Sequence, residues 1–341
     1  MLKFSYSIKE IKLNKINKTI QATSTTQFSK SLAVYQSNAS VSLEGFALSP
    51  PLQADFELFI NNQLSLAQVI ANTKKRHQQS QQTQILNTSE TAHLDCEGDF
   101  TRVRILERKL NPVNGTFDAT HLKEINRSIL QDMPMYNGGT LRLDSHEHVR
   151  CRSINQGSDS YVVHYKHGNV NDDAINQAIQ KAGALADLAQ LSHAAFAERL
   201  AVLYGDLDHI HSFNEANSRT LRLFTEQLAN AACHSLDWSR AFMLSNPRDA
   251  IYMARDLEVS KRSFPLLSIE TMRHATPSEF EAYDTQKKLK DIKSMRELMQ
   301  DCLMLAKHDK STDGWIQSVM DGHKRMTLDD EYRERIARRT S

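Results

Sequence analysis

Apolar and polar positions divide the chain into a polar start, a short helical stretch, a polar break and a long, mostly helical remainder. Residues 1–30 are rich in Ser, Thr, Asn and Lys, show little periodicity and read as a polar extension. Residues 31–77 read as three short helices. Ser49-Pro50-Pro51 separates the first two, because proline disfavours a helical residue before it. Ser65 and Gln68 fit a capping box ahead of an apolar stripe of Leu66, Val69 and Ile70. The run HQQSQQT from His77 to Thr83 is too polar to bury and opens a linker expected over 78–97.

A second folded region is expected over 98–265. Asn114-Gly115 marks a turn, and Leu122, Ile125, Ile129 and Leu130 mark a helix after it. Gly138-Gly139 ends that unit. The runs HVRCRSI (148–154) and YVVHY (161–165) flank a polar loop containing Gly157 and predict a β-hairpin. Phe196, Leu200, Leu203 and Leu207 share one face of a helix ending near Asp208. A further helix is predicted from about Asn217 to His234, with Leu221, Phe224, Leu228 and Ala231 inward. Residues 266–341 read as a charged helical extension. The fold class is therefore mainly α with one small hairpin.

Composition narrows the partners. Among 341 residues, 42 basic and 41 acidic side chains leave a formal charge of +1, so no net field favours nucleic acid or an anionic membrane. The 4 cysteines show no metal or redox spacing, which fits a reduced, cytoplasmic chain. No stretch reaches transmembrane length, and charges interrupt the N-terminus too early for a signal peptide. Delivery by a specialised secretion system is left open. His146, His148, His164 and His167 cluster near the hairpin, but their spacing fits alternating strand residues better than metal ligands.

The chemistry concentrates in His211-Ser-Phe-Asn-Glu-Ala-Asn-Ser-Arg-Thr-Leu-Arg222, a loop running into the start of a helix. Unpaired N–H groups and the positive dipole end at a helix N-terminus suit a phosphate. Arg219 and Arg222 share one helix face and can grip a single polyphosphate. Glu215 suits a Mg²⁺ that takes its other ligands from phosphates and water. His211 has the intrinsic pKa of a general base.

This stretch resembles the Fic/Doc family signature HxFx(D/E)GNGRxxR. His211, Phe213, Glu215, Asn217, Arg219 and Arg222 match, while Ala216 and Ser218 replace the two glycines. Gly115-Thr-Phe-Asp and the LDW at 236–238 are also typical of the family. The resemblance implies a Fic-type helical core that transfers AMP from ATP to a Ser, Thr or Tyr hydroxyl of a target protein or of itself. It makes His211 the base and Glu215 the Mg²⁺ ligand. Ala216, Asn217 and Ser218 form the anion hole, Arg219 and Arg222 bind the β- and γ-phosphates, and Phe213 is a buried anchor. The hairpin near 148–165 becomes a flap on which the target docks as an added strand.

Ser40-Val-Ser-Leu-Glu44-Gly45 resembles the family's inhibitory motif (S/T)xxxE(G/N), within a module like the small antitoxins that accompany some relatives. That likeness implies that Glu44 pairs with Arg222 and displaces the γ-phosphate, with Ser40 on the same helix face and Gly45 allowing close approach. Alternatives are a Doc-like phosphotransferase, another nucleotide donor, a de-AMPylase and a catalytically disabled interaction protein. Ser218, where the Doc branch has a bulky lysine, and the retained Arg222 favour adenylyl transfer. The target and any homo-oligomer are left open.

Overall fold

In a computed structural model, the structure describes residues 27–84, 90–143, 148–154, 159–244 and 246–304. Three helices come first: α1 over 27–42, α2 (Pro50–Ile60) and α3 (Leu66–Gln84). Ser49 caps α2, with Pro50 and Pro51 in its first turn, where a missing N–H costs nothing. The Ser65–Gln68 capping box closes on both sides, at 3.3 and 2.8 Å.

The expected linker at 78–97 is instead helical on either side of 85–89, which lie outside the described residues. α3 continues to Gln84, and α4 (Glu90–Leu110) begins well before Phe100. Polar side chains make the join worthwhile here. Arg76 binds Asp55 at 2.7 Å, Lys74 binds Asp132 at 2.9 Å and His77 approaches Asp99 at 3.4 Å. A polar stretch can thus stay helical while tying one element to the next.

α5 (Ala119–Leu130) follows, with Asp118 as its cap. Next comes the hairpin of β1 (Val149–Ile154) and β2 (Asp159–His164), paired from Val149↔His164 to Ile154↔Asp159. Its turn, with Gly157, lies outside the described residues. α6 (Asp172–Ala182), α7 (Leu185–Leu188), α8 (His193–Ile210) and α9 (Asn217–Ala231) complete the centre. β3 (Ser235–Leu236), α10 (Pro247–Ser263), α11 (Pro277–Lys288), α12 (Met295–Cys302) and β4 (Leu303–Met304) close the described chain. Ala231 is exposed, not inward; Ala229 and Ala232 take the buried places beside Leu228.

The main core joins α4, α5, α8, α9 and α12 through Phe100, Ile125, Leu203, Phe224 and Leu298. α12 shows that the core does not stop at 265: Met295, Leu298, Met299 and Cys302 are all buried in it. Residues 305–341 lie outside the described residues, as do 1–26. A second cluster packs Val34, Phe56 and Val69 of the first three helices onto Val103 and Leu106 of α4. α1 belongs to both, because Val41 and the following Leu43 enter the main core.

Candidate active site

The site is assembled where α8 stops and α9 starts. His211 caps α8 in the left-handed conformation (φ 50°, ψ 62°) and turns the chain back toward α9. The last carbonyls of α8 then need donors, and Arg142 supplies them. Its buried guanidinium donates to His211 O at 2.7 Å, Ile210 O at 3.1 Å and Lys166 O at 2.6 Å. One side chain therefore joins the His211 turn to the exit of the hairpin.

Loop closure falls to two asparagines. Asn217 accepts from Phe213 N–H at 2.9 Å and donates to Phe213 O at 2.6 Å. Its side chain is thus committed to the loop, and only its backbone is left for the expected anion hole. Asn126 of α5 donates to Glu215 O at 3.0 Å and to Thr220 Oγ1 at 3.1 Å. Phe213 is buried beside Leu141, with which its backbone forms a bridge.

Ala216 sits at φ 61°, a conformation that favours glycine, yet it keeps the loop's shape. It gives α9 no side-chain cap, so the first N–H groups of this helix are left for a ligand. The Ser218 hydroxyl is turned away and accepts from Arg255, whose fork is held by Asp208 at 2.8 and 2.7 Å.

Burial, and then neighbouring His148 and the cationic Arg255, Arg150 and Arg152, hold the His211 imidazole well below the ordinary histidine range. It is neutral at pH 7, as a base must be. Its ring packs against Tyr165 at 4.0 Å and His148 at 4.8 Å, while Nδ1 is buried without a hydrogen-bond partner among the described residues. Of the other hairpin histidines, His164 meets Glu281 at 2.9 Å, and His146 lies outside the described residues.

The two arginines point into this space but are held differently. Arg222 donates to Ser40 O at 2.7 Å and Ser40 Oγ at 3.2 Å, and forms an ion pair with Glu44. Glu44 lies just past the end of α1, in a turn that Gly45 completes at φ 93°. Its second oxygen accepts from Tyr252 OH at 2.5 Å. Burial alone would raise the Glu44 carboxyl; the charges of Arg222 and Arg219 and the Tyr252 bond overcome that and hold it at about 2. Arg219 instead meets Glu97 of α4 at 2.7 Å and Glu215 at 3.1 Å. Both guanidiniums are buried, and Arg222 Nη1 and Arg219 Nε lack hydrogen-bond partners among the described residues.

Glu215 is the most accessible carboxylate here, its side chain 39% exposed, and among the described residues only its Oε1 is engaged, by Arg219 and Ala216 N–H. One oxygen donor open to solvent fits a Mg²⁺ that draws its other ligands from phosphate and water. No cluster of three or more His, Cys, Asp or Glu that could cage a metal occurs among the described residues.

The hairpin borders His211 through Tyr165. The edge of β2 away from β1 is occupied: Val162 exchanges hydrogen bonds with Thr285 of α11 at 3.3 and 2.7 Å. β1 pairs only with β2 among the described residues and is mostly exposed. Arg152 of β1 bonds Asp256 at 3.2 Å and Tyr165 OH at 3.0 Å, with its guanidinium 4.8 Å over the Tyr252 ring.

Sequence reasoning missed Glu97, Asn126, Arg142 and Tyr252. Each lies on an element distant in sequence from the motif it supports, and no spacing rule marks it.

The model of the Fic/DOC family matches residues 116–229, which hold this loop and the helices around it. Among curated proteins, the chain is 28% identical over 157 residues to protein adenylyltransferase VbhT of Bartonella schoenbuchensis, covering 46% of this chain and 30% of that protein. It is 31% identical over 141 residues to a probable protein adenylyltransferase Fic of Salmonella typhimurium, covering 41% of this chain and 62% of that protein. The chain thus spans less than two thirds of either relative. A solved structure of the BepC protein from Bartonella tribocorum with bound AMPPNP aligns over 62% of this chain and 86% of that chain, at 20% identity and a TM-score of 0.38.

Proposed function

We propose that this chain is a self-inhibited protein adenylyltransferase that moves AMP from ATP to a hydroxyl of a target protein. The observation that carries the reading is a neutral, buried His211 beside an uncapped helix N-terminus and two buried arginines with donors to spare. The adenylyltransferase names of the relatives support it.

The target hydroxyl gives its proton to His211 as its oxygen bonds to the α-phosphorus. The bond from that phosphorus to the β-phosphate oxygen breaks, and pyrophosphate leaves. Arg219, Arg222 and the first N–H groups of α9 bind the phosphates and take up the charge on the leaving group. Glu215 would hold Mg²⁺, which neutralises phosphate charge when bound. The free edge of β1 offers the target a strand to pair with, which places its hydroxyl next to His211.

Glu44 supplies the inhibition. While it occupies Arg222, the γ-phosphate loses that partner, and the α-phosphate is misaligned for attack. The family's glycine positions argue little for a disabled site, since Ala216 adopts the left-handed geometry that glycine would.

Intact mass and label tests check the chemistry. Incubated with ATP and Mg²⁺, the Glu44→Gly variant should acquire label from the α-phosphate of ATP, on itself or on a target. Label from the γ-phosphate alone would make it a phosphotransferase. Adding His211→Ala should reduce transfer by at least about 100-fold, the usual share of a general base, with ATP binding kept.

A further inference from the structure

Arg219 is bound by two carboxylates, and they are not equivalent. Glu215 belongs to the loop and faces solvent. Glu97 is buried on α4: one oxygen accepts from Arg219 Nη2 at 2.7 Å, the other from Tyr136 OH at 2.8 Å. The α4 backbone around it is fixed from several sides. Thr101 donates to Glu97 O at 2.7 Å and reaches Arg219 Nη1 at 3.4 Å. Arg102 donates to Ala47 O at 2.8 Å, and Phe100 and Ile105 enter the main core. Glu97 thus cannot follow a nucleotide or a cation, whereas Glu215 can turn away.

We propose that Glu97 is a positioning residue that holds Arg219 in place for the phosphates and thereby releases Glu215 to bind the metal ion. This rests on the adenylyltransferase reading. Held by Glu97, Arg219 keeps one partner after Glu215 leaves it. Without Glu97, Glu215 is the one carboxylate left paired directly with the buried guanidinium among the described residues, and Mg²⁺ must compete with Arg219 for it. Glu97 also places a negative charge beside the phosphate site, and losing that repulsion offsets the lost positioning of Arg219 in metal-free nucleotide binding.

The test uses the full chain carrying Glu44→Gly as parent, with Glu97→Gln or Glu97→Asp added. Calorimetry follows AMPPNP binding across a Mg²⁺ titration, and AMP transfer is measured in parallel. Glu97→Gln should raise the Mg²⁺ needed for half-maximal effect by roughly tenfold in both readouts, about what one charge-assisted hydrogen bond is worth. AMPPNP should bind it without Mg²⁺ at least as well as it binds the parent. Glu97→Asp should return much of the parent's Mg²⁺ response.

An unchanged Mg²⁺ response in folded Glu97→Gln overturns the proposal. So does a loss of AMPPNP binding at every Mg²⁺ concentration with a lowered Tm that Glu97→Asp does not restore, since that is a purely structural role. If the parent binds AMPPNP but transfers no AMP, the adenylyltransferase reading fails while the binding arm still decides for or against Glu97. A parent that binds no AMPPNP sinks both.

Discussion

Arg219 and Arg222 stand one turn apart on α9, equally buried, and yet they are restrained by different kinds of partner. Arg219 is held by α4, inside the core, and by a residue of its own loop. Arg222 is held by Ser40 and Glu44, from a helix and turn that precede the catalytic core in the chain. On the proposed reading, the Glu97 contact persists through a reaction cycle, while Glu215 leaves Arg219 for the metal ion. On the same reading, the second sits where a γ-phosphate would bind and must give way to it. An arginine pair can therefore be half built and half blocked, with nucleotide bound but chemistry restrained.

Removing Glu44 breaks this comparison most sharply. Glu44→Gly should raise AMP transfer by about 10–100-fold, the range expected from one charge-assisted interaction of ~1.5–3 kcal/mol. Adding Arg222→Ala should abolish the gain, because the freed partner is gone; a double variant as active as Glu44→Gly would place inhibition elsewhere. Initial rates with α-labelled ATP are the measurement.

Tyr252→Phe removes only the hydrogen bond on the second Glu44 oxygen. A hydrogen bond to an ionised carboxylate contributes about 1.5 kcal/mol or more, so the expected activation is roughly tenfold. Activity unchanged from the parent, with Glu44→Gly active, would show that the Arg222 pair alone holds the carboxylate.

The Glu44 pair also has a pH signature. Its folded value of about 2 lies below the ordinary carboxylate value, so the stabilisation is complete above about pH 4.5 and is lost as pH falls toward 2. The shift corresponds to about 3 kcal/mol at most. Thermal melts from pH 6 down should therefore show the parent losing more stability than Glu44→Gln within that window. Parallel curves would mean that Glu44 titrates normally.

The smallest expected effect concerns the loop from which both arginines hang. Ala216→Gly relieves a left-handed alanine and should raise stability by up to about 1 kcal/mol, offset in part by glycine's larger unfolded-state entropy. A clear fall in Tm would show that the buried methyl contributes more than the strain costs.

Much of this site was legible in the sequence because its residues are neighbours. His211, Glu215, Arg219 and Arg222 lie in one loop and one turn of helix, and Ser40 and Glu44 in another short motif. Glu97 was hidden for a physical reason. A Gln-rich run looks unable to bury anything, yet α3 continues through it to Gln84, anchored ahead of it by ion pairs of Lys74 and Arg76 and by His77, and α4 begins within the segment expected as linker. α12 escaped for the opposite reason: its apolar face is only four residues, which resemble a surface helix until α8 is placed against them. Arg142 and Asn126 act through backbone carbonyls and amides, which carry no signature in side-chain spacing.

Val41 and Leu43, which lead into Glu44, are buried in the same core as Phe213 and Ala216 of the candidate loop. On the proposed reading this makes the restraint stoichiometric by construction. An inhibitor on a separate chain obeys mass action, and its occupancy falls with dilution or with unequal synthesis of the two chains. Here every molecule is synthesised with its own restraint at a fixed effective concentration, independent of how many copies a cell contains. Cell-to-cell variation in expression changes the amount of enzyme but not the restrained fraction. Only an agent that displaces the Glu44 turn can change that fraction.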